Sequence, residues 1–241
     1  MDKQQNELML SQIEMFEKQT GELLEVKDGK PYYNGLLSCN SDYLPDNLVL
    51  DGSLMCYVDS TKLPNGLKVS GLLDVSETDI TEIPDDCEFK SLNLRHAKVT
   101  KLRDNLELDC LIIHDTPLKK LPKNLIIFSF LGMGRNYFTT IPNDCLVTCV
   151  CCSEGFNDER YRLNQFNYYY LKDEIVHINH PSGREFLHAD GILSEVIEKK
   201  GNVYHVRNSV NGLNGYVVTD GNNHWAHGYT LDEAKQDLLY K

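Results

Sequence analysis

A two-residue step, Leu-Pro or Ile-Pro, returns at a nearly fixed interval between residues 44 and 142 and constrains the fold more than any other feature. It occurs six times, and successive steps lie 19 or 20 residues apart. In one copy Arg replaces Pro. The steps are Leu44-Pro45, Leu63-Pro64, Ile83-Pro84, Leu102-Arg103, Leu121-Pro122 and Ile141-Pro142. A period of this length predicts a solenoid of stacked coils.

Apolar residues stand at fixed distances from each step. In one coil Leu73 and Val75 lie ten and eight residues before Ile83, a spacing that places both side chains on one side of an extended strand. Ile80 lies three residues before the step and Cys87 four residues after it. Because a single coil cannot bury these side chains, we expect neighbouring coils to share a continuous core.

The segments GLLDVSETDITEIPDDC at 71–87, SLNLRHAKVTKLRDNL at 91–106 and CLIIHDTPLKKLPKNL at 110–125 resemble leucine-rich repeats. They are similar to the short Leu-Pro type found in bacterial effectors and in phage or prophage proteins. The resemblance covers roughly half of the chain and implies a protein-binding solenoid at 41–152. The family's usual Asn after the strand is replaced by Thr78, Ala97 and Thr116, and only Asn136 matches. Threonine can hydrogen bond to nearby backbone, whereas alanine cannot.

The N-terminal segment 1–40 is predicted to cap the solenoid. Met9, Ile13 and Phe16 lie at helical spacing within residues 4–18, which predicts an amphipathic helix. Asp28-Gly29 then indicates a hairpin turn. After the repeats, the aromatic-rich segment 153–182 is predicted to be a C-terminal cap and linker.

Residues 183–241 are predicted to form a small antiparallel sheet with one helix, so the whole chain belongs to the α+β class. The segments REFLHA, ILSEVIEKK, VYHVRNSV and GYVVT read as strands, with turns at 200–202 and 220–222. Thr230 and Glu233 have the spacing of a helical capping box. The closing segment resembles a C-terminal module of phage and bacterial proteins that carry the same repeats, and this resemblance implies no defined activity.

The chain has a net charge of −12, which disfavours direct nucleic-acid binding and attachment to acidic membranes. We therefore expect a protein partner with a basic surface. There is no apolar run of roughly 20 residues that could cross a bilayer, and the N-terminal residues lack the pattern of a secretory signal. These features predict a cytoplasmic location in a bacterial host cell.

The solvent-facing residues of the repeat strands, and those just after them, are the candidate partner-binding residues. Stacked strands would align them in columns on one face, where they form a mixed polar and apolar surface. They are Tyr57, Asp74, Glu77, Asn93, Arg95, His96, Ile112, His114, Asp115 and Arg135.

Catalytic and metal-binding alternatives rest on histidine and cysteine. His177 and His180, and also His224 and His227, have spacings seen in metal sites, but neither pair has a nearby cysteine or a helical His-Glu-x-x-His frame. The cysteines near residue 150 lack paired Cys-x-x-Cys spacing. We therefore predict no cofactor and no metal.

Enzyme motifs are also missing from the sequence. Some Leu-Pro effectors carry a ubiquitin ligase with a catalytic Cys-x-Asp motif, which does not occur here. There is likewise no phosphate-binding G-x-x-x-x-G-K-[ST] loop and no G-x-S-x-G elbow. The favoured interpretation is a non-enzymatic binding protein, and the resemblance points to a phage-encoded inhibitor of a bacterial defence or regulatory protein. An effector using its His-rich C-terminal domain as an enzyme or metal site, and a structural or assembly protein, are the alternatives. A homodimer through the C-terminal domain is a further hypothesis.

Overall fold

The computed structural model describes residues 3–133, 145–147, 150–151, 176–180, 183–189, 192–208 and 212–241. Within these ranges the chain forms two α-helices, a short 3-10 helix and two separate β-sheets. The larger sheet consists mainly of stacked parallel strands, and the smaller one is antiparallel. The predicted solenoid-like arrangement and the small antiparallel sheet are therefore confirmed.

The N-terminal helix α1 (Lys3–Thr20) lies against the start of the larger sheet. The three residues predicted to share one face of this helix, Met9, Ile13 and Phe16, are all buried, and Phe16 belongs to the solenoid core. Two antiparallel strands follow, β1 (Glu25–Lys27) and β2 (Lys30–Cys39). The predicted turn joins them, and Asp28 and Gly29 both have positive φ there.

Strand β2 is also the first strand of the parallel sheet, in which each coil supplies the next strand. A 3-10 helix (Ser41–Tyr43) leads from β2 into the second coil. The remaining strands are β3 (Val49–Cys56), β4 (Lys68–Asp74), β5 (Glu88–Asn93), β6 (Glu107–Ile112), β7 (Ile126–Gly132), β8 (Leu146–Val147) and β9 (Val150–Cys151). From β3 onward the strands pair at the repeat interval: Leu54 lies beside Leu73, which lies beside Leu92.

The repeat positions predicted to point inward form the solenoid core. Leu73, Val75, Ile80 and Cys87 of one coil are all buried in the same cluster. Burial raises the pKa of the Cys87 thiol to about 12, so this cysteine acts as a small apolar side chain. Cys145 occupies the same position in a later coil and is buried as well.

Thr78, Ala97 and Thr116, which occupy the same repeat position, behave as their chemistry predicts. Thr78 is buried, and its hydroxyl donates to the carbonyl oxygen of Val75 at 2.7 Å. Thr116 donates in the same way to the Ile113 carbonyl oxygen at 3.1 Å. Ala97 is also buried, but its methyl group can only pack.

The antiparallel sheet contains the four predicted strands and two more. Its strands are β10 (Val176–Asn179), β11 (Glu185–Ala189), β12 (Ile192–Lys200), β13 (Val203–Asn208), β14 (Asn214–Thr219) and β15 (Trp225–Gly228), followed by helix α2 (Leu231–Leu238). The sequence pattern missed β10 and β15, which have only four residues each, too few for a clear alternation. The predicted capping box is present: Thr230 Oγ1 accepts from the Glu233 amide at 3.2 Å, and Glu233 Oε2 accepts from the Thr230 amide at 3.1 Å.

The two sheets meet through a small apolar cluster. Ile126 and Leu146 of the solenoid pack with Phe186 and Leu193 of the antiparallel sheet. At the edge of this cluster, the Arg184 guanidinium bonds to Glu195 of its own sheet and to Glu107 of the solenoid. Through this contact the antiparallel sheet covers the first residues of the solenoid strands β7 and β8.

Candidate protein-binding face

On the face opposite its core, the parallel sheet aligns one continuous column of residues. Successive strands place these residues side by side, and each follows directly after a buried core residue. The column is Ser38, Met55, Asp74, Asn93, Ile112 and Gly132. Three candidate residues, Asp74, Asn93 and Ile112, are therefore brought together by the fold, and all three are half-buried.

The other described candidates lie just beyond the ends of the strands. We call this edge the rim, and its residues are Tyr57, Val58, Ser76, Glu77, Arg95, His96, His114 and Asp115. Backbone hydrogen bonds continue the sheet into the rim: the Glu77 amide donates to Arg95 O at 2.7 Å, and the His96 amide donates to His114 O at 2.9 Å. The rim is thus held on a rigid scaffold. The candidate Arg135 lies outside the described residues.

Two of the candidate polar residues have a structural role. Asp74 Oδ1 accepts from the Ser76 amide at 2.9 Å, and Asp74 Oδ2 accepts from Asn93 Nδ2 at 3.0 Å. Asn93 Oδ1 in turn accepts from the Arg95 amide at 3.1 Å. These bonds turn the chain after β4 and β5 in the manner of Asx turns. Because Asp74 and Asn93 hold the rim backbone, we assign them to support of the surface.

Three rim residues have the left-handed backbone conformation at the same position of successive coils. Glu77 has φ 60°, His96 φ 56° and Asp115 φ 52°. Glycine adopts this conformation most readily, and asparagine, aspartate and histidine are enriched in it, whereas glutamate is not. The backbone conformation therefore suits His96 and Asp115 but does not account for Glu77.

The rim carries charges of both signs. His96 Nδ1 lies 3.9 Å from Asp115 Oδ2. Burial, together with the positive charge of Arg95, lowers the pKa of His114 below its usual value, while Asp115 acts in the opposite direction. Gly132 makes room for this imidazole, since a Cβ at Gly132 would stand 2.8 Å from His114 Nε2.

The N-terminal end of the same face is apolar and exposed. The exposed fractions are 61% for Leu36, 43% for Met55, 53% for Tyr57 and 64% for Val58. Of these four residues, the sequence pattern identified Tyr57 as a candidate and missed Leu36 and Val58. Val58 could have been found from the period, because it lies 19 residues before Glu77. The face therefore combines an apolar end with a charged rim.

The histidines of the antiparallel sheet do not form a described metal site. His224 Nδ1 lies 2.7 Å from Asp220 Oδ2, and this hydrogen bond lowers the pKa of Asp220 to about 2. His180 is buried and meets the ring of Phe186 edge-on. Among the residues that the structure describes, no group of three or more His, Cys, Asp or Glu side chains could hold a metal ion.

Neither of the two described helices is long and apolar enough to cross a bilayer. Comparisons with protein-family models, with curated proteins and with solved structures found no significant match.

Proposed function

We propose that this chain is a non-enzymatic protein of the leucine-rich repeat type that binds another protein through the exposed face and rim of its solenoid. The binding surface would consist of the apolar residues Leu36, Met55, Tyr57 and Val58 together with the charged side chains of the rim. A patch that places aromatic and apolar residues beside charged ones has the composition of a protein-binding surface.

The observation that carries this proposal concerns two exposed, charged side chains of the rim. The carboxylate of Glu77 and the guanidinium of Arg95 form no hydrogen bond or ion pair with any described residue, although the backbone of both is fixed by hydrogen bonds. Glu77 also occupies a backbone conformation that costs free energy for a residue of its type. Exposed side chains that stand on a fixed backbone and do not serve the fold are available for a partner.

Charge and resemblance support a particular class of partner. The net charge of −12 favours a partner with a basic surface, since opposite charges accelerate association. The Leu-Pro repeats resemble those of phage proteins, so the proposed target is a bacterial defence or regulatory protein that the chain would inhibit.

The test is affinity capture of the tagged full-length chain from bacterial lysate, read by mass spectrometry. The test variant combines Val58→Ser and Glu77→Lys, which removes one exposed apolar side chain and reverses one charge on the rim. Its matched control combines Leu23→Ser and Asp85→Lys, which makes the same two kinds of change at exposed positions away from the rim.

We expect the test variant to reduce the captured partner by more than about tenfold, because both changes fall in one contact area. The control should retain the partner. Equal loss from both variants would indicate an effect of total charge, and retention by both would refute the rim as the binding surface.

A further inference from the structure

The antiparallel sheet contains a cavity that is separate from the rim. Its volume is about 530 Å³, and it is lined by residues of β12 to β15 and of helix α2. Its walls are mainly apolar, with Ile192, Val206, Leu213 and Tyr216 among them. A cavity of this size suits a small organic molecule of drug-like dimensions, whereas one side chain of a partner protein would fill only part of it.

One polar group in the wall has no partner. Ser194 is fully buried and lines the cavity, and its hydroxyl forms no hydrogen bond within the described part of the chain. A buried hydroxyl without a partner is costly, because it has lost its hydrogen bonds to water. A hydrogen-bonding group on a bound molecule would remove this cost.

Helix α2 places two carboxylates in the cavity wall. Glu233 and Asp237 both line the cavity, while no lysine or arginine does so among the described residues. Asp237 Oδ2 lies 3.5 Å from Lys241 Nζ, so part of the charge of Asp237 is already neutralised. Only one oxygen of Glu233 serves the fold: Oε2 accepts from the amides of Tyr229 and Thr230, at 3.0 and 3.1 Å. Its other oxygen, Oε1, accepts no hydrogen bond from a described residue.

Three aromatic rings share the cavity wall with these carboxylates. They belong to Tyr216, Tyr229 and Tyr240, and one face of the Tyr216 ring is stacked on His205. The face of a tyrosine ring attracts a cation, and a carboxylate attracts it more strongly at close range. Carboxylates, tyrosine rings and apolar walls together select for a ligand that is cationic at one end and apolar elsewhere.

We propose that this cavity binds a small organic amine whose apolar, ring-sized body carries one further hydrogen-bonding group. Glu233, Asp237 and the tyrosine rings receive the ammonium group. The hydroxyl of Ser194 pairs with the polar group on the ring. This site lies outside the rim, so it is independent of the partner proposed above.

Tryptamine is the probe, because it joins an ammonium group to an aromatic body with one N–H donor. Binding to the full chain is measured by calorimetry and by amide chemical shifts. Indole-3-acetate, which has the same ring and the opposite charge, is the ligand control. The variants are Glu233→Gln, which preserves the capping box, and Asp237→Asn. Asp232→Asn is their matched control, since it removes a charge from the same helix at a residue that does not line the cavity.

We expect tryptamine to shift the amides of Val206 and Gly215 and indole-3-acetate to leave them unchanged. Glu233→Gln and Asp237→Asn should each raise the dissociation constant about two- to fivefold, and Asp232→Asn should leave it unchanged. Three results would each overturn the proposal: no shift at the cavity residues up to the solubility of tryptamine, equal binding of indole-3-acetate, or an equal loss in the Asp232→Asn control.

A third variant tests the role of the hydroxyl. Ser194→Val removes a group that the fold does not satisfy, so the variant should fold with unchanged or higher thermal stability. It should weaken tryptamine but not 2-(1-benzothiophen-3-yl)ethylamine, in which sulfur replaces the indole N–H. An equal effect on both amines would show that the hydroxyl is not a ligand contact.

Discussion

Two turns of the solenoid coil carry left-handed residues in several of the described coils, and the two turns are filled in different ways. The first is the rim turn, where Glu77, His96 and Asp115 have positive φ. The second, which we call the return turn, lies two residues before the next strand. Its left-handed residues are Asn47, Gly66, Asn105 and Asn124. Asparagine and glycine are the residues that this backbone conformation favours.

Side chains of the return turn are used by the fold itself. Asn124 Nδ2 donates to Asn105 Oδ1 of the preceding coil at 2.9 Å. Asp104 Oδ1 accepts from the Lys123 amide at 2.9 Å, and Asp46 Oδ1 accepts from the Asn65 amide at the same distance. These bonds connect one coil to the next. The return turn therefore contributes to stability, whereas the exposed charges of the rim belong to the binding surface proposed above.

Because the return turn supports the fold, the largest loss of stability is expected for a substitution at Gly66. Gly66→Ala would place a methyl group in the left-handed conformation and bring its Cβ to 2.5 Å from Asn47 Oδ1. We expect a loss of about 2 kcal/mol in the free energy of unfolding, measured by urea denaturation. Partner capture under native conditions should not change. Unchanged stability would show that this turn relaxes easily and would weaken the distinction between the two turns.

Substituting alanine for one left-handed residue of each turn compares the two turns directly. Asn105→Ala removes a residue suited to positive φ and its hydrogen bond to Asn124, so we expect a loss of about 1 kcal/mol. Glu77→Ala should change stability by less than about 0.5 kcal/mol, because both residues are poorly suited to this conformation. Denaturant titration of both variants checks this. Equal losses would mean that the Glu77 carboxylate also supports the fold.

Glu77→Asn separates stability from binding at one residue. Asparagine suits φ 60° better than glutamate, so the variant should be about 0.5 kcal/mol more stable in thermal or urea unfolding. The same change shortens the side chain and removes its charge, so it should reduce partner capture. Asp85→Asn, an exposed carboxylate outside the rim, is the control for charge. A more stable variant with undiminished capture would remove Glu77 from the proposed surface.

The repeat period predicted much of the solenoid, because a fixed interval places every coil in the same register. It identified inward residues such as Ile80 and Cys87, which are buried. It could not identify Leu36, because β2 does not follow the period: Ser38 pairs with Met55, only 17 residues on. A column of residues that pair across neighbouring strands can therefore be predicted from the sequence only where the repeat interval holds.

The contact between the two sheets also has a signal in the sequence, at the first residue of each solenoid strand. At the first residue of the strands, Lys68 of β4 pairs with Glu88 of β5. Glu107 of β6 pairs with Ile126 of β7, and Ile126 pairs with Leu146 of β8. The change from charged to apolar residues marks where the antiparallel sheet covers the solenoid. The left-handed conformation of Glu77 had no comparable signal, because glutamate is not typical of it.

The smallest predicted effect is electrostatic and concerns His114. Burial and the nearby charge of Arg95 lower the pKa of His114 in the folded chain. The fold therefore favours the neutral imidazole: its contribution to stability is complete above the unfolded pKa of about 6.5 and is lost as the pH falls through the lower folded value. Arg95→Met should raise this pKa, measured by NMR titration of the imidazole, whereas Lys101→Met should not. An unchanged pKa of His114 in Arg95→Met would mean that the rim charges do not affect one another. A partner would then contact them as independent groups.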